Sequence, residues 1–187
     1  MVGNGLPAGI QTPVVRNNIM QRPLTCNELN LVRKILGNAA DWSQVQIVCG
    51  AWWLLHPHAA ITCGNHIIFP VAYYADDFTQ TSLSRQAWFI HELMHVWQYQ
   101  HGFPIILAGV CLTLKAGYYQ ARAYRYPPLS TIKSLGRLNM EQQAQLVQDY
   151  FLALVGDKRH QPFLVHFRRL LKPLIRHPDN RRLLPHY

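Results

Sequence analysis

Two histidines and a glutamate lie close together between Trp88 and Gln98, a segment without helix-breaking residues. His91, Glu92 and His95 form the pattern His-Glu-x-x-His. On a helix, residues four apart differ by about 40° around the axis and about 6 Å along it, so both imidazoles can approach one ion. Glu92 can then take a proton from a metal-bound water as general base. The spacing therefore predicts half of a catalytic zinc site.

A catalytic zinc site needs three protein ligands and a water, so a third donor must come from elsewhere. His101 has the spacing of the longer motif His-Glu-x-x-His-x-x-Gly-x-x-His, but Gln98 stands where that motif has its turning glycine. On an uninterrupted helix, His101 lies about 240° around the axis from His95 and points away from the ion.

Glu141 is the candidate that we favour as third ligand. It lies in the first turn of a later predicted helix, at the border of that helix's apolar stripe. The chain has only three glutamates, and Glu28 is assigned to a helix cap. Asp149 and Asp157 remain alternatives, as does His101.

A metal-bound histidine normally donates its other ring N–H to an acceptor. Gln145 and Asp149, one and two turns beyond Glu141, are candidates for this role, and so are Asp76 and Asp77. One further donor beside the metal would hold the oxyanion, and the sequence does not choose among the candidates. These are Tyr118, Tyr119, Tyr150, His101 and His166.

Composition predicts one globular domain with a basic end. At 187 residues and 49% hydrophobic content, the chain can bury one substantial core. Residues 1–157 carry ten Lys and Arg against eight Asp and Glu, whereas residues 158–187 carry eight against one. The basicity therefore belongs to the C-terminal segment, which we expect to be an amphipathic helix packed on the same domain.

The predicted elements give an α+β fold, mostly helical, with a small antiparallel sheet before the active-site helix. Residues 1–24 read as an extended arm or linker, and residues 25–157 as the catalytic domain. Strands are expected near residues 45–49 and on either side of Gly64-Asn65, a tight hairpin loop. Helices are expected over about 25–36, 83–101, 103–114 and 139–155. Such a sheet edge could hold an extended peptide by strand addition.

The four cysteines and the termini constrain the cellular context. Cys26, Cys49, Cys63 and Cys111 have no C-x-x-C spacing, so they are expected to be inert thiols, with Cys49–Cys63 as the first choice if a disulfide forms. No secretory signal is visible in residues 1–11. The longest apolar run, about twelve residues, is too short to span a bilayer, so we expect a soluble protein.

Two blocks of sequence resemble a known family. Residues 86–98 and 139–151 are similar to the zinc metallopeptidase domain that some bacterial type VI secretion spike proteins carry at their C-terminus. The resemblance runs from about residue 29 to 151 and does not include the basic segment. It implies a gluzincin-like zincin with one zinc ion, His91, His95 and Glu141 as ligands, and Glu92 as the catalytic glutamate.

The resemblance also implies a biological setting. We expect an effector toxin that is made in the bacterial cytoplasm, exported by a dedicated secretion system and active on a peptide or protein in a target cell. A spike protein and a neutralising immunity protein are the implied partners. The alternative is a basic protein that binds nucleic acid or an anionic membrane and has a structural or vestigial metal site. For the favoured peptidase, nucleic acid is not an expected partner, and membrane contact is left open.

Overall fold

The computed structural model describes residues 20–50, 59–114 and 119–185, without the side chains of residues 110–121. These ranges contain four strands, five α-helices and several short 3-10 turns. The strands are β1 (Met20–Pro23), β2 (Gln46–Cys49), β3 (Ile61–Cys63) and β4 (His66–Phe69). The helices are α1 (Cys26–Leu36), α2 (Leu83–Gln100), α3 (Ile105–Leu114), α4 (Met140–Leu154) and α5 (Leu164–Arg176). The predicted α+β class with helical predominance is therefore confirmed.

The helix ends follow local chemistry. The Thr25 side chain accepts the Glu28 amide and Glu28 accepts the Thr25 amide, which closes the predicted capping box of α1. Asn139 and Gln142 make the same reciprocal pair at the start of α4. Because this second capping box fixes the first turn of α4, it also fixes the position of Glu141, the residue after Met140.

The sheet differs from the predicted antiparallel one. Its strand order is β1-β2-β4-β3, in which β1 pairs antiparallel with β2 and β3 pairs antiparallel with β4, but β2 pairs parallel with β4. The hairpin at Gly64 forms as expected, with Gly64 at φ +65°. Its returning strand, β4, inserts beside β2, which leaves β3 at the sheet edge next to α2.

The last residues of the predicted N-terminal arm belong to the domain. Met20–Pro23 is a paired strand, and Arg22 within it donates to the carboxylate of Glu28 at 2.8 and 2.9 Å. Glu28 is fully buried and also accepts the backbone N–H of Phe78 at 2.8 Å. This strand was not predicted because residues 1–24 are rich in Gly, Pro and Asn, and a short edge strand needs little apolar periodicity that a sequence pattern could reveal. Residues 1–19 lie outside the described part.

The basic C-terminal segment packs on the domain. The apolar face of α5 enters the main core through Phe167, Leu170, Leu171 and Leu174. The opposite face exposes Arg168, Lys172 and Arg176, among other cations. Across the described ranges, no helix combines the length and apolar character that crossing a bilayer requires.

The sulfur chemistry is simple in the described residues. Cys26, Cys49 and Cys63 are free thiols, of which only Cys49 is buried. Burial raises the pKa of the Cys49 thiol, so this side chain stays protonated and unreactive at neutral pH. The two members of the first-choice pair, Cys49 and Cys63, are thus both free thiols in the structure, and the side chain of Cys111 lies outside the described part of the chain.

Candidate metal centre

Helix α2 carries the His-Glu-x-x-His pattern through the interior of the protein. From Phe89 to Gln98 every residue is buried, including His91, Glu92 and His95, which are 5 to 7% exposed. The two imidazole rings lie one turn apart with centroids separated by 5.0 Å. Polar side chains at this depth require partners, so the surrounding contacts define what the site can do.

Helix α4 brings Glu141 against these histidines. One carboxylate oxygen, Oε2, lies 3.2 Å from His91 Nε2 and 3.4 Å from His95 Nε2. The three side chains are buried, and ligand atoms from all three lie within 4.8 Å of one another. In a tetrahedral zinc site with bonds near 2.0–2.1 Å, ligand atoms are about 3.3 Å apart. The donor types and the spacing therefore fit one zinc ion.

The electrostatics of the cluster are strongly coupled. Burial by itself lowers the pKa of His95, but the nearby carboxylate of Glu141, helped by Glu92 and Gln98, raises it from 6.5 to about 9. Burial by itself raises the pKa of Glu141, but the imidazoles of His95 and His91 hold it well below 4.5. A cation bound here would replace the proton that His95 otherwise retains.

The carboxylate of Glu92 accepts hydrogen bonds from two side chains that do not belong to the cluster of His91, His95 and Glu141. The hydroxyl of Thr62 on β3 donates to Glu92 Oε2 at 2.7 Å, and the indole N–H of Trp88 donates to Oε1 at 3.1 Å. Each carboxylate oxygen thus has its own donor, and the two hydrogen bonds fix the plane of the carboxylate. Thr62 reaches the site because β3 is the strand that lies beside α2.

His95 has a partner on the side away from Glu141. Its Nδ1 lies 2.8 Å from Gln98 Oε1, and Gln98 Nε2 donates to the Met140 carbonyl at 3.0 Å. Gln98 Nε2 also donates to Gln143 Oε1 at 3.1 Å. The residue that replaces the turning glycine of the longer motif therefore supplies the hydrogen-bond acceptor that metal-binding histidines commonly have.

A cavity of about 510 Å³ opens onto the cluster. His91, Glu92, His95 and Glu141 form its polar floor, with Thr62 at one side. The walls of the cavity are mostly apolar. They come from β3 and the residues just before it, from α3, from α4 and from the turn at residues 119–124. The wall residues are Ala59, Ala60, Ile61, Ile105, Ile106, Gly109, Tyr124 and Met140. An apolar cleft around a few convergent polar groups is typical of a site that binds an organic substrate.

Two comparisons place the chain among known proteins. Over 146 residues it is 35% identical to the type VI secretion system spike protein VgrG2b of Pseudomonas aeruginosa, a match that covers 70% of this chain. The solved effector domain of that VgrG2b aligns with a TM-score of 0.63 and 32% identity, over 78% of this chain and 83% of the domain. The chain belongs to the VgrG2b effector-domain family. It spans 13% of the length of the spike protein, and no family model matches it.

In this member of the VgrG2b effector-domain family, the remaining predicted residues lie elsewhere. His101 is at the end of α2, where its ring packs against that of Trp97 at a tilt of 33° and lies 3.3 Å from Asp179. Gln145 donates to Asp149 at 2.8 Å, and Asp149 also accepts the Tyr126 hydroxyl; Asp149 lines a separate cavity with His166.

The alternative third ligand Asp157 and the other outer-shell and oxyanion candidates in the described residues also lie away from the cluster. Asp157 contacts His160, Tyr150 packs on Phe167, and Asp77 caps a turn. Tyr118 and the side chain of Tyr119 lie outside the described part of the chain.

Five residues at this site were not singled out from the sequence, and the sequence pattern could have indicated only some of them. Trp88 and Gln98 lie four residues before Glu92 and three after His95, so helical spacing alone puts them within reach. Thr62 and Gln143 come from other elements, and only the tertiary fold brings them in. Tyr124 stood within a tyrosine-rich stretch that offered no basis for choosing it.

We predict a pH-dependent stability from the Glu141–His95 pair. Because the folded-state pKa of His95 is raised to about 9, its stabilising contribution is complete below about pH 6.5 and is lost as pH rises toward 9. Glu141, whose pKa is lowered, contributes fully above about pH 4.5 and loses its contribution as pH falls. In chelator-treated protein, the difference in unfolding free energy between wild type and Glu141→Gln should be largest between pH 4.5 and 6.5. Urea titrations at several pH values measure it, and a difference that stays constant from pH 6.5 to 9 would contradict the assignment.

Proposed function

We propose that this protein is a zinc-dependent peptidase of the zincin type, in the gluzincin-like group, and that it acts as a type VI secretion effector. The observation that carries the proposal is the buried convergence of His91, His95 and Glu141 beside Glu92 at the floor of a cleft. Family membership supports the effector role, since the relative is a secretion spike protein with an effector domain.

The division of roles follows from the contacts. His91, His95 and Glu141 would hold one zinc ion, which supplies Lewis acidity that lowers the pKa of a bound water and polarises a carbonyl. Glu92 would not be a zinc ligand, because its carboxylate is held by hydrogen bonds from Thr62 and Trp88. Its carboxylate takes the proton from the attacking water and later delivers that proton to the leaving amine.

The surroundings of the cleft favour a peptide as substrate. Thr62 lies on β3, an edge strand of the described sheet, and the flanking Ile61 is 43% exposed. An edge strand beside a reactive centre can align an extended chain through backbone hydrogen bonds. The apolar walls, which include Ile105, Ile106 and Met140, can accept a hydrophobic side chain of that chain. A target-cell protein and a cell-wall peptide both meet these requirements.

Tyr124 is the residue that we propose as oxyanion donor. It lines the same cavity as the cluster, and its ring centroid is 5.8 Å from that of His91. Burial, together with the negative charges of Glu141 and Glu92, raises the pKa of Tyr124, so its hydroxyl keeps its proton at neutral pH. A protonated phenol can donate to the negative oxygen of a tetrahedral intermediate.

We propose two further consequences of the effector role. Export from the bacterial cytoplasm into a target cell would proceed through association with a secretion spike, as in the VgrG2b relative, of which the effector domain is a part. A neutralising partner in the producing cell would protect it from its own enzyme. Both are proposals for this chain.

The decisive prediction separates the base from the ligands. Glu92→Gln keeps the shape of the side chain, since its amide oxygen can accept from Trp88 and its amide nitrogen can donate to the Thr62 hydroxyl oxygen. The amide cannot take a proton, so hydrolysis should fall by about 10²–10⁴-fold while zinc content stays at one per chain. His91→Ala and Glu141→Ala should lose zinc and activity together. Zinc is measured by elemental analysis, and cleavage by N-terminal labelling of a bacterial lysate incubated with each variant.

His101→Ala is the matched control for these ligand variants. This histidine lies on the same helix and contacts Trp97 and Asp179 instead of the cluster, so its removal should leave zinc content unchanged. Cleavage that survives in Glu92→Gln would overturn the reaction. Zinc lost from His101→Ala but retained by Glu141→Ala would overturn the ligand set.

A separate prediction concerns the oxyanion. Tyr124→Phe removes one hydroxyl without disturbing the ring that packs near His91, so kcat should fall by about 10²-fold with little change in KM or zinc content. Tyr150→Phe removes a hydroxyl from a tyrosine outside the cleft and serves as control. Equal kcat values for Tyr124→Phe and wild type would remove Tyr124 from the reaction.

A further inference from the structure

A buried chain of side-chain amides leads away from His95 to the C-terminal end of the described structure. It begins with the contact between His95 Nδ1 and Gln98 Oε1 and continues from Gln98 Nε2 to Gln143 Oε1. Gln143 Nε2 then donates to two backbone carbonyls, those of Leu135 and Leu183, at 3.0 Å each. Gln98 and Gln143 are both fully buried.

The orientation of both amides is determined by the acceptors around them. Gln98 Nε2 faces the Met140 carbonyl and Gln143 Nε2 faces two carbonyls, so neither amide can be reversed without opposing two oxygens. Gln98 Oε1 must therefore face His95 as an acceptor, and His95 Nδ1 must be the donor. This leaves His95 Nε2, the atom 3.4 Å from Glu141, as the nitrogen whose lone pair can bind a metal.

The series of hydrogen-bonded amides ends at residues 180–185, a tightly docked segment that we call the tail. Asn180 caps the turn that contains Leu183, and the Leu183 side chain is buried in the main core. At Gly136 the tail lies so close that an added Cβ would be 2.0 Å from the Arg182 carbonyl oxygen. The position of the Leu183 carbonyl is therefore set by tail docking and not by α4 itself.

We propose that Gln98, Gln143 and the Leu183 carbonyl form a positioning relay that couples docking of the C-terminal tail to the metal affinity of His95. The inference deepens the proposed function, since it rests on His95 being a metal ligand, but it does not depend on peptide hydrolysis. Coupling between two binding events is reciprocal, so metal binding also strengthens tail docking. The basic segment thereby acquires a role at the site through its backbone.

The central test compares two glutamines on the same helix. Gln143→Met keeps the volume of the side chain but breaks the relay, whereas Gln145→Met alters a glutamine that contacts Asp149 outside it. Zinc affinity is measured by chelator competition at one pH. We expect about tenfold weaker binding for Gln143→Met and a change below about twofold for Gln145→Met. Gln98→Met, which removes the direct partner of His95, should weaken binding by about 10–100-fold.

A purely structural role of Gln143 gives a different result. In that case Gln143→Met would lower the unfolding free energy of the metal-free protein but leave its zinc affinity equal to that of Gln145→Met, which would overturn the proposal. If peptidase activity is absent while the order of zinc affinities holds, only the proposed reaction fails. If active wild type shows equal affinities across the variants, only the relay fails. A wild type that binds no zinc overturns both.

Hydrogen exchange on the wild type tests the coupling without any variant. The Leu183 and Leu184 amides donate within the tail turn, to the Asn180 and Arg181 carbonyls. Adding zinc should slow exchange at these two amides by more than it slows exchange in α1, which lies outside the relay. Equal slowing in both regions would overturn the coupling, even if the Gln143 variant failed to fold.

Discussion

Charged and polar groups buried between α2 and α4 impose the main constraint on this structure. Two imidazoles and a carboxylate, each 5 to 7% exposed, would be costly in an apolar interior without partners. Glu141 meets both histidines with one oxygen, and Gln98 satisfies the outer nitrogen of His95. The extensive contact between α2 and α4 is thus organised around a polar centre that needs either protons or a cation.

The same constraint explains why the surrounding elements are arranged as they are. The capping box at Asn139, two residues before Glu141, fixes the start of α4 and so brings the Glu141 carboxylate to the level of the histidines. The parallel insertion of β4 beside β2 moves β3 to the edge, where Thr62 can reach Glu92. The apolar walls from α3 and Met140 then close the cleft around the polar floor. Each of these elements contributes to one site although they are distant in sequence.

Local chemistry was readable from the sequence, and long-range pairing was not. The capping boxes at Thr25 and Asn139, the hairpin at Gly64 and the ends of α2 each depend on residues within a few positions, so pattern alone predicted them. The strand at residues 20–23 and the parallel pairing of β2 with β4 depend on partners about 20 or more residues away. Among site residues, His91, Glu92 and His95 lie within five consecutive positions of one helix, whereas Thr62 and Gln143 reach the site only through the tertiary fold. In the sequence, Gln98 indicated only that the turning glycine of the longer motif is absent. Its role as hydrogen-bond partner of His95 required the structure.

X-ray absorption spectroscopy of the zinc-loaded protein identifies the atoms bound to the metal. If His91, His95 and Glu141 hold the ion, the first shell contains two imidazole nitrogens and two oxygens at about 2.0–2.1 Å, one oxygen from the carboxylate and one from water, with no sulfur. A sulfur ligand at about 2.3 Å, or a first shell that is identical in Glu141→Gln, would contradict it.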